Sequence, residues 1–501
     1  MRRASTLRAE DLYVGQTMAR AEARSECAMN DLRKIAFSFI VDIDPRFAYQ
    51  GYYLAHSIME HSCAKPQDIH VQFTPEVGTQ TIDIFKSMGC SVSWLERFGD
   101  GKFCNKLAQW SSLNRTDADH FLFLDTDMIF IDDCRRSLPA EAVSAKIVDC
   151  VNPPIEVLEE IMVAAGFLTM PAACPVDTNE GMTYRGNCNG GMYSVPRLFA
   201  ESLFAAWRRW ALWLLDNMEP LRRVGREKHV DQISFCLAIH ETGIPFELAP
   251  SNLNYYVHLT GSHTYLDATR PISILHYHNE SLNVLGALEP KAALTSLQVA
   301  AVGAANAQIA RHFDNRVFWD LRYAHFSERG SGEGSRGKNI EYKRQLLRAQ
   351  GAEQALSVLD VGCGDLEVVK TLSLCGYVGV DQSEWALEMA KRARPTWTFL
   401  SAPAQDAAAA ELVLCFEVLI HQESSAAYLK LIDYLAEKTR RVLLVSGYEK
   451  DSDAIRRNPM VFFHEPLSLS LARTGKFKSI TTIGQHTSVV VFRCEARLPT
   501  A

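Results

Sequence analysis

Long apolar runs are missing from this 501-residue sequence, although 47% of its residues are hydrophobic. No stretch approaches the roughly 20 consecutive apolar residues that a membrane-spanning helix needs. The opening residues, MRRASTLRAEDLYVGQ, follow their positive start with no apolar core, so the pattern of a secretory signal is missing as well. The sequence therefore predicts a protein without a transmembrane segment.

Cysteine pairs and basic clusters are also missing. The 13 cysteines are an odd number with no CxxC pair, and no Cys/His group has zinc-site spacing. This usage is typical of a reducing compartment, so we expect a cytoplasmic protein. Lys and Arg are scattered and the net charge is −7, which argues against nucleic acid as a partner.

The length exceeds what one hydrophobic core usually fills, and the apolar pattern divides the chain. Residues 1–34 are polar and helix-prone and predict an N-terminal leader. Residues 35–288 alternate strand and helix patterns, which predicts a parallel α/β sheet whose order becomes irregular in its later part. Residues 289–318 predict a helical connection opened by Pro290, and residues 319–501 predict a second α/β unit.

Two aspartates end a buried strand pattern in the first α/β unit, where the apolar run Phe121–Leu124 is followed by Asp125-Thr126-Asp127. The carboxyl ends of strands in an open α/β sheet face the crevice where ligands bind. Two carboxylates there suit a hard divalent ion, Mn²⁺ or Mg²⁺, which would neutralise a nucleoside diphosphate. A solvated turn or a helix cap is the structural alternative for such a pair.

Further features surround this D-x-D pair in a fixed order, namely Asp42, Asp44 and Tyr49, then Asn105-Lys106, Asn189-Gly190-Gly191, Asp231-Gln232, and His276 or His278. This order resembles the GT-A class of glycosyltransferases, and within it retaining family 8 and its relatives. The resemblance implies that a metal ion is bound by Asp125, Asp127 and His276, and that Asp231 and Gln232 lie beside the transferred sugar. It also implies a nucleotide-sugar donor bound by Asp42, Asp44, Tyr49, Lys106, Asp125, Asn189, Gly190 and Gly191.

Several of these residues also have a structural interpretation. Lys106 is explained equally by a solvated helix position, and Asp231 by a helix cap. The glycine pair after Asn189 is explained by a simple turn. The His276-Tyr-His278 spacing places both imidazoles on one face of a strand, but the resemblance requires one histidine, and we select His276. The glycine and lysine that usually follow this histidine in the family are not recognisable, which leaves the donor-phosphate contacts from this end open.

An apolar stripe at helical spacing follows the glycine pair, formed by Leu203, Trp207, Trp210 and Leu214. Core packing and a helix lying on a membrane surface both fit this pattern. We favour core packing and expect peripheral membrane contact at most.

A glycine-rich turn follows a strand pattern in the second unit, where LDVGCGD covers Leu359–Asp365. A second acid, Asp381, ends the next strand about 20 residues on, where an acid recognises ribose hydroxyls. Leu366 stands where the dinucleotide fingerprint has its third glycine, and a pyrophosphate would lose its close approach to the helix there. The pattern therefore predicts a nucleoside ligand and disfavours NAD.

The segment from Leu359 to about Val445 resembles class I methyltransferases through four motifs, LDVGCGD, VGVDQS, SAPAQD and ELVLCFEVLIH. A third glycine is frequent in that family too, so Leu366 is a departure. The resemblance implies S-adenosylmethionine (SAM) as cofactor, with the ribose hydroxyls on Asp381. It also places the methionine and ribose over Asp360, Gly362, Cys363 and Gly364, and the adenine beside Gln405 and Asp406.

The segment SERGSGEGSRG, Ser327–Gly337, has the composition of a flexible linker. The sequence around it, beginning at Trp319, also resembles the segment that precedes the first motif in polysaccharide-associated methyltransferases. That resemblance implies a lid over the cofactor, with Arg322 and Tyr323 near it. Both interpretations remain open at this point.

Methyl transfer to a hydroxyl is assisted by a general base, and histidine is the residue best matched to neutral pH. His421, which follows the fourth strand pattern, and His464, in FFHEP, are the two candidates. A structural role is the alternative for each of them.

Together these patterns predict an α/β protein with an N-terminal GT-A-type domain followed by a Rossmann-like class I methyltransferase domain. The leading hypothesis is a bifunctional enzyme of glycan assembly that transfers a sugar from a nucleotide-sugar donor and methylates a hydroxyl of the glycan product. One alternative is an enzyme that glycosylates and methylates a small metabolite. Another is that one half is an inactive glycan-binding module, which the presence of both D-x-D aspartates and both nucleoside acids disfavours.

Overall fold

The computed structural model describes residues 33–178, 180–259, 263–291, 293–486 and 488–497. The predicted leader, residues 1–34, lies outside the described residues except for its last two. The chain forms two compact units: the first ends at Asn283 and also includes Leu288–Gln308, and the second comprises Val284–Ala287 and the chain from Ile309 onward.

The first unit contains strands β1 (Ile35–Val41), β2 (Ile69–Phe73), β3 (Ser91–Trp94), β4 (His120–Leu124), β5 (Met128–Phe130), β6 (Val143–Ile147), β7 (Ala173–Pro175), β8 (Met182–Tyr184), β9 (Cys188–Pro196), β10 (Phe246–Leu248), β11 (Tyr255–Tyr256) and β12 (Ile274–His276). Its helices are α1 (Pro45–His61), α2 (Thr79–Ser87), α3 (Trp110–Leu113), α4 (Ile155–Ala164), α5 (Arg197–Asp216), α6 (Glu219–Arg223) and α7 (Val230–Thr242). Helix α8 (Ser296–Arg311) contains the change between the units.

The predicted connection, residues 289–318, differs from the structure at its start. Helix α8 begins at Ser296 rather than at Pro290. The reason is a capping interaction, because the Thr295 hydroxyl accepts a hydrogen bond from the Gln298 backbone N–H at 3.3 Å.

The main sheet of the first unit has the order β10-β6-β9-β4-β1-β2-β3. Strands β1 to β4 pair in parallel, as the alternating pattern predicts. Strand β9 is antiparallel to both β4 and β6, so the sheet is mixed rather than wholly parallel. A smaller sheet, β11-β12-β5, pairs β12 antiparallel to β5 and sets His276 opposite Met128.

The aromatic stripe of α5 belongs to the core. Trp207 is 0% exposed, and its ring lies 4.7 Å from Tyr193 and 5.0 Å from Phe235 between ring centroids. Its indole N–H donates to the Asp231 backbone carbonyl at 2.7 Å, which satisfies the polar atom of a buried side chain. The core interpretation of this stripe therefore replaces the membrane-surface interpretation. Among the described residues, no helix combines the length and the apolarity needed to cross a membrane.

The second unit contains strands β13 (Val358–Val361), β14 (Tyr377–Asp381), β15 (Thr398–Ser401), β16 (Ala410–Cys415), β17 (Thr439–Gly447), β18 (Phe477–His486) and β19 (Val489–Ala496). Its helices are α9 (Asn315–His325), α10 (Lys338–Ala349), α11 (Glu384–Ala393), α12 (Ser425–Lys438), α13 (Asp453–Arg457) and α14 (Leu467–Arg473).

The sheet of the second unit has the order β15-β14-β13-β16-β17-β19-β18, with β19 antiparallel to its neighbours. Alternate residues of its strands enter different hydrophobic clusters: Leu359 and Val361 belong to one, and Val358 belongs to the other. Because side chains alternate across a strand, the sheet is covered on both faces. The second unit is thus a Rossmann-like α/β fold.

We expect Trp207→Ala to destabilise the first unit by about 3–5 kcal/mol, because it removes a large side chain from a closely packed core. Urea unfolding followed by circular dichroism measures the loss. Leu198→Ala is the matched control, since Leu198 lies on the same helix and is 81% exposed. Equal losses in the two variants would contradict the core assignment.

Candidate active sites

The glycine turn of the second unit is held by the acid of the next strand. Gly362 has φ +78°, a conformation that favours glycine. Asp381 ends β14, and its Oδ2 accepts the Gly364 backbone N–H at 2.8 Å while its Oδ1 accepts the Ser383 N–H at 2.9 Å. Burial raises the pKa of Asp381. The glycine turn and Asp381, which are separated in the sequence, are thus in direct contact at the edge of the sheet.

A cavity of about 340 Å³ opens beside this turn at the carboxyl edge of the sheet. Of the residues predicted for the cofactor and the base, its lining includes Tyr323, Asp360, Gly362, Cys363, Asp381, Gln405 and His421. The lining does not include Arg322, Gly364, Asp406 or His464, all of which the structure describes. Seven of the predicted residues therefore surround one space.

Asp360 and Arg322 have protein partners that explain their positions. The Asp360 Oδ2 accepts a hydrogen bond from the Tyr377 hydroxyl at 2.7 Å, and burial raises the pKa of Asp360 to about 6. The Arg322 guanidinium lies 5.7 Å and 5.4 Å from the ring centroids of Phe318 and Trp319. Arg322 is buried against these rings and does not line the cavity, so its contact with the cofactor stays a prediction.

The two candidate bases differ in placement. His421 Nδ1 lies 2.7 Å from the Met460 carbonyl, which can only accept, so Nδ1 carries the proton and Nε2 is the acceptor nitrogen. Burial lowers the pKa of His421 to about 4, which keeps the ring neutral at neutral pH. His464 instead contacts the Gln422 carbonyl at 2.8 Å and the Ser425 hydroxyl at 3.2 Å, outside the cavity lining. Of the two, only His421 reaches the cavity.

An ion cluster that the motifs did not predict also reaches the cavity. Glu417, which lines it, has its Oε2 2.7 Å from the Lys343 ammonium and its Oε1 2.9 Å from His486 Nε2. Burial opposes ionisation of Glu417, but His486 and Lys343 hold its pKa below the usual range. The sequence feature that could have indicated Glu417 is its place just after a strand. It follows β16 at the same sheet edge where Asp381 ends β14.

The Gly- and Ser-rich segment Ser327–Gly337 is tied to this site. The Ser331 hydroxyl donates to Asp365 Oδ1 at 2.8 Å, and Arg336 forms an ion pair with the same carboxylate. The Lys343 ammonium donates to the Ser335 hydroxyl at 3.2 Å, and both serines line the cavity. These contacts attach the segment to the glycine turn, which favours the lid interpretation over that of a free tether.

The first unit gathers a second group of predicted residues. Asp127, His276 and His278 each offer a ligand atom, and these atoms lie within 4.8 Å of one another. His276 Nε2 is 3.2 Å from Asp127 Oδ1. Burial alone would raise the pKa of Asp127, but the neighbouring His276 and His278 hold it well below its usual range. Three residues from two separate sequence motifs therefore form one cluster that can hold a metal ion.

Asp125 stands apart from this cluster. Its Oδ1 is 2.6 Å from the Lys106 ammonium, and Lys106 also donates to the Gly190 carbonyl. Lys106 is buried, so the solvated-helix alternative does not hold for it. The structure thus places Asp125 in an ion pair rather than with the predicted metal ligands.

The predicted glycine loop is instead part of strand β9, because Asn189, Gly190 and Gly191 lie within Cys188–Pro196, and it adjoins Asp125 and the Asp231-Gln232 pair. The Gly191 backbone N–H donates to Asn189 Oδ1 at 2.8 Å. A Cβ added at Gly190 would lie 3.3 Å from Asp231 Oδ2 and 3.2 Å from Gln232 Nε2. Glycine therefore lets the backbone pass close to this pair. Burial raises the pKa of Asp231 to about 7.

The three residues predicted to start the donor site have different surroundings. Asp42 lies at the end of β1, where its carboxylate accepts the Thr74 hydroxyl at 2.7 Å and pairs with Arg97 at 2.9 Å. Asp44 caps helix α1 by accepting the Arg46 N–H at 2.9 Å. Tyr49 is 1% exposed and packs in the core, which corrects its predicted donor contact.

Comparison with known proteins assigns one part of the chain. Residues 336–470 match the family model described as a methyltransferase domain. No curated protein matches the chain. The match does not extend to the first unit, so the glycosyltransferase resemblance stays a prediction.

One solved structure similar to this chain is magnesium protoporphyrin IX methyltransferase from Synechocystis PCC 6803 with bound SAH. The two sequences are 19% identical, the match covers 32% of this chain and 83% of that chain, and the TM-score is 0.28. Another is the N-methyltransferase NodS from Bradyrhizobium japonicum WM9 in complex with S-adenosyl-l-homocysteine, at 17% identity, 32% of this chain, 87% of that chain and a TM-score of 0.26. Likenesses of this strength do not assign a substrate. The family match, placed on the Rossmann-like second unit, shows that this chain contains a methyltransferase domain.

Proposed function

We propose that the second unit is a SAM-dependent methyltransferase acting on a hydroxyl of a glycan or glycoconjugate. The observation that carries the SAM site is the meeting of Gly362 and Asp381 on one cavity at the ends of adjacent parallel strands. An acid at the end of the second strand of such a sheet is placed to accept hydrogen bonds from ribose hydroxyls. The glycan acceptor is supported by the sequence resemblance around Trp319.

The residues of the cavity have different roles in methyl transfer. When bound, SAM supplies an activated methyl group. The Asp381 oxygens, each with a second lone pair beyond its backbone bond, can accept the ribose hydroxyls. The neutral His421 can take the acceptor's proton on Nε2 because Met460 fixes its tautomer. The Ser327–Gly337 lid can exclude water from the cavity.

The first unit has a second candidate function, metal-dependent transfer of a sugar from a nucleotide-sugar donor. The Asp127, His276 and His278 cluster favours it, because a cation there would neutralise the donor diphosphate. Asp231 and Gln232, which lie over Gly190, are the candidates for contact with the transferred sugar. Linking both reactions in one chain raises the effective concentration of a shared glycan.

The alternatives are separable by experiment. Tailoring of a small metabolite would use the same two sites with a discrete acceptor. An inactive half that only binds glycan would bind neither its nucleotide sugar nor its cofactor. Thermal-shift titration of the full chain with nucleotide sugars plus Mn²⁺, and separately with S-adenosylhomocysteine, detects an inactive half because each ligand stabilises only a site that binds it. Assays with a glycan and with a small-molecule acceptor separate the other two cases.

We expect Asp381→Asn to weaken binding of S-adenosylhomocysteine by about 10- to 150-fold, the roughly 1.5–3 kcal/mol of a hydrogen bond to a charged group. Isothermal titration calorimetry measures the change. Glu388→Gln is the matched control because Glu388 is exposed on α11 and pairs with Lys391 there. Native affinity of the Asp381 variant would remove the ribose assignment.

We expect His421→Gln to lower the methyl-transfer rate by about 10²-fold or more, the usual contribution of a general base. His464→Gln should stay near the native rate. Because burial sets the pKa of His421 at about 4, the native rate should be flat through pH 6.5 and fall only as His421 becomes protonated toward pH 4. An inflection near pH 6.5, or equal losses in the two variants, would contradict this role.

We expect Asp231→Asn to lower sugar transfer by about 10- to 150-fold above about pH 8, where a carboxyl group with a pKa of about 7 is mostly ionised, because it removes the charge from the group assigned to the transferred sugar. The measurement is nucleotide release from a panel of nucleotide sugars with Mn²⁺. Asp216→Asn, at the exposed end of α5, is the control. Both variants should bind S-adenosylhomocysteine with native affinity, and native sugar transfer by Asp231→Asn would exclude its assigned role.

A further inference from the structure

The first unit contains two clusters of histidine and acid that have the geometry of a metal site. One is Asp127, His276 and His278, and the other is Asp149, Asp177 and His263. They differ in what neutralises the carboxylates. This difference indicates which of the two clusters is available to bind a metal ion from solution.

The second cluster already has its own cation. The Lys146 ammonium lies 2.5 Å from Asp149 Oδ1 and 3.1 Å from Asp177 Oδ2. Asp177 also accepts the Ser251 hydroxyl at 2.7 Å and lies 2.7 Å from His263 Nδ1. All of these groups are buried, so Lys146 occupies the position that a metal ion would take.

The first cluster has no such cation within the described part of the chain. No Lys or Arg there lies within 4.0 Å of Asp127, whose side-chain ion pair is with His276. The third imidazole nearby, His258, has its ring centroid 4.1 Å from that of His278. Within the described residues, the buried His258 Nδ1 has no hydrogen-bond partner. The carboxylate of this cluster is therefore paired with a candidate ligand histidine rather than with a Lys or Arg.

The orientation of His276 is fixed for binding through Nε2. Its Nδ1 lies 2.9 Å from the Asn254 side-chain oxygen, so Nδ1–H donates to Asn254 and Nε2 is the ring nitrogen directed at Asp127. The Asn254 backbone carbonyl accepts from Lys146 at 3.0 Å. Asn254 thus contacts both clusters, because its backbone accepts a hydrogen bond from Lys146 and its side chain orients His276.

Asp125, the first acid of the D-x-D pair, is used differently. The buried Lys106 binds its carboxylate at 2.6 Å and also donates to the Gly190 carbonyl, which lies beside Asp231 of helix α7. An ammonium at this distance competes with a divalent ion for the same oxygen. The ligand set of the first unit is therefore one carboxylate with two imidazoles rather than two carboxylates.

We propose that a metal ion in the first unit is held by Asp127, His276 and His278, with Asp125 excluded by Lys106, and that this site selects a first-row transition ion over Mg²⁺. Imidazole favours ions such as Co²⁺ and Zn²⁺, whereas Mg²⁺ prefers carboxylate, carbonyl and water oxygens. Three protein ligands leave coordination positions open for the oxygens of a diphosphate. The inference rests on the proposed metal-dependent function of this unit and specifies its ligand set.

The test is titration of the metal-free full chain with Co²⁺ and Mg²⁺, followed by calorimetry and by the visible absorption of bound Co²⁺. We expect Co²⁺ to bind at least about 100-fold more tightly than Mg²⁺, from the ligand preference of imidazole. His278→Asn should weaken Co²⁺ binding at least about tenfold and shift its absorption, whereas Asp125→Asn should change the affinity less than about threefold. His240→Asn is the histidine control, because His240 bonds the Thr169 carbonyl and is not in the cluster.

The outcomes separate this inference from the proposed function. Circular dichroism and urea unfolding confirm that each variant is folded before its titration is interpreted. Equal binding of Mg²⁺ and Co²⁺, or loss of Co²⁺ in Asp125→Asn with retention in His278→Asn, overturns the ligand set. Native-like Co²⁺ binding with no turnover of any nucleotide sugar would leave the ligand set standing and reject sugar transfer.

Discussion

Strand pairing is the constraint on which both sites depend, and in the second unit it acts through parallel strands that end at the same edge of the sheet. Residues that follow different strands meet there, however far apart they stand in the sequence. In the second unit this brings Gly362, Asp381 and Glu417 around one cavity. In the first unit the chain leaving β4 turns into β5, and the pairing of β12 with β5 brings His276 to Asp127. Each site is thus a consequence of strand order rather than of local sequence.

Collecting acids at one edge carries an electrostatic cost, and each acid has a specific partner that offsets it. Asp360 accepts the Tyr377 hydroxyl, and Asp381 accepts backbone N–H groups of the glycine turn. Glu417 is paired with Lys343, and Asp125 with Lys106. A buried charge without such a partner would be strongly destabilising. These pairings determine which carboxylates remain available to a ligand. In the first unit Asp125 is paired with Lys106, so Asp127 is the acid of the D-x-D pair that remains available to a metal ion.

The lid segment shows how composition and contacts can give opposite indications. Gly and Ser residues usually mark a flexible tether, because they place few restraints on the backbone. Here Ser331 and Arg336 bind Asp365, which directly follows the glycine turn, and Ser335 binds Lys343. The small side chains are what allow the backbone to lie close to the cavity: a Cβ added at Gly334 would overlap the carboxylate of Glu417, which lines the cavity. Composition alone records the flexibility and misses the contacts.

The sequence by itself determined the elements that depend on local pattern. The strand before LDVGCGD, the acid that ends the next strand at Asp381 and the core stripe around Trp207 all follow from apolar periodicity and from glycine, which local interactions set. Tertiary structure alone decided the antiparallel placement of β9, the burial of Tyr49 and Arg322 and the pairing of Asp125 with Lys106. It also decided the entry of Glu417 and Lys343 into the cavity and the pairing of Glu417 with His486. The physical reason is that the charge partners and exposure of a side chain depend on residues far away in the chain, and no local pattern specifies them.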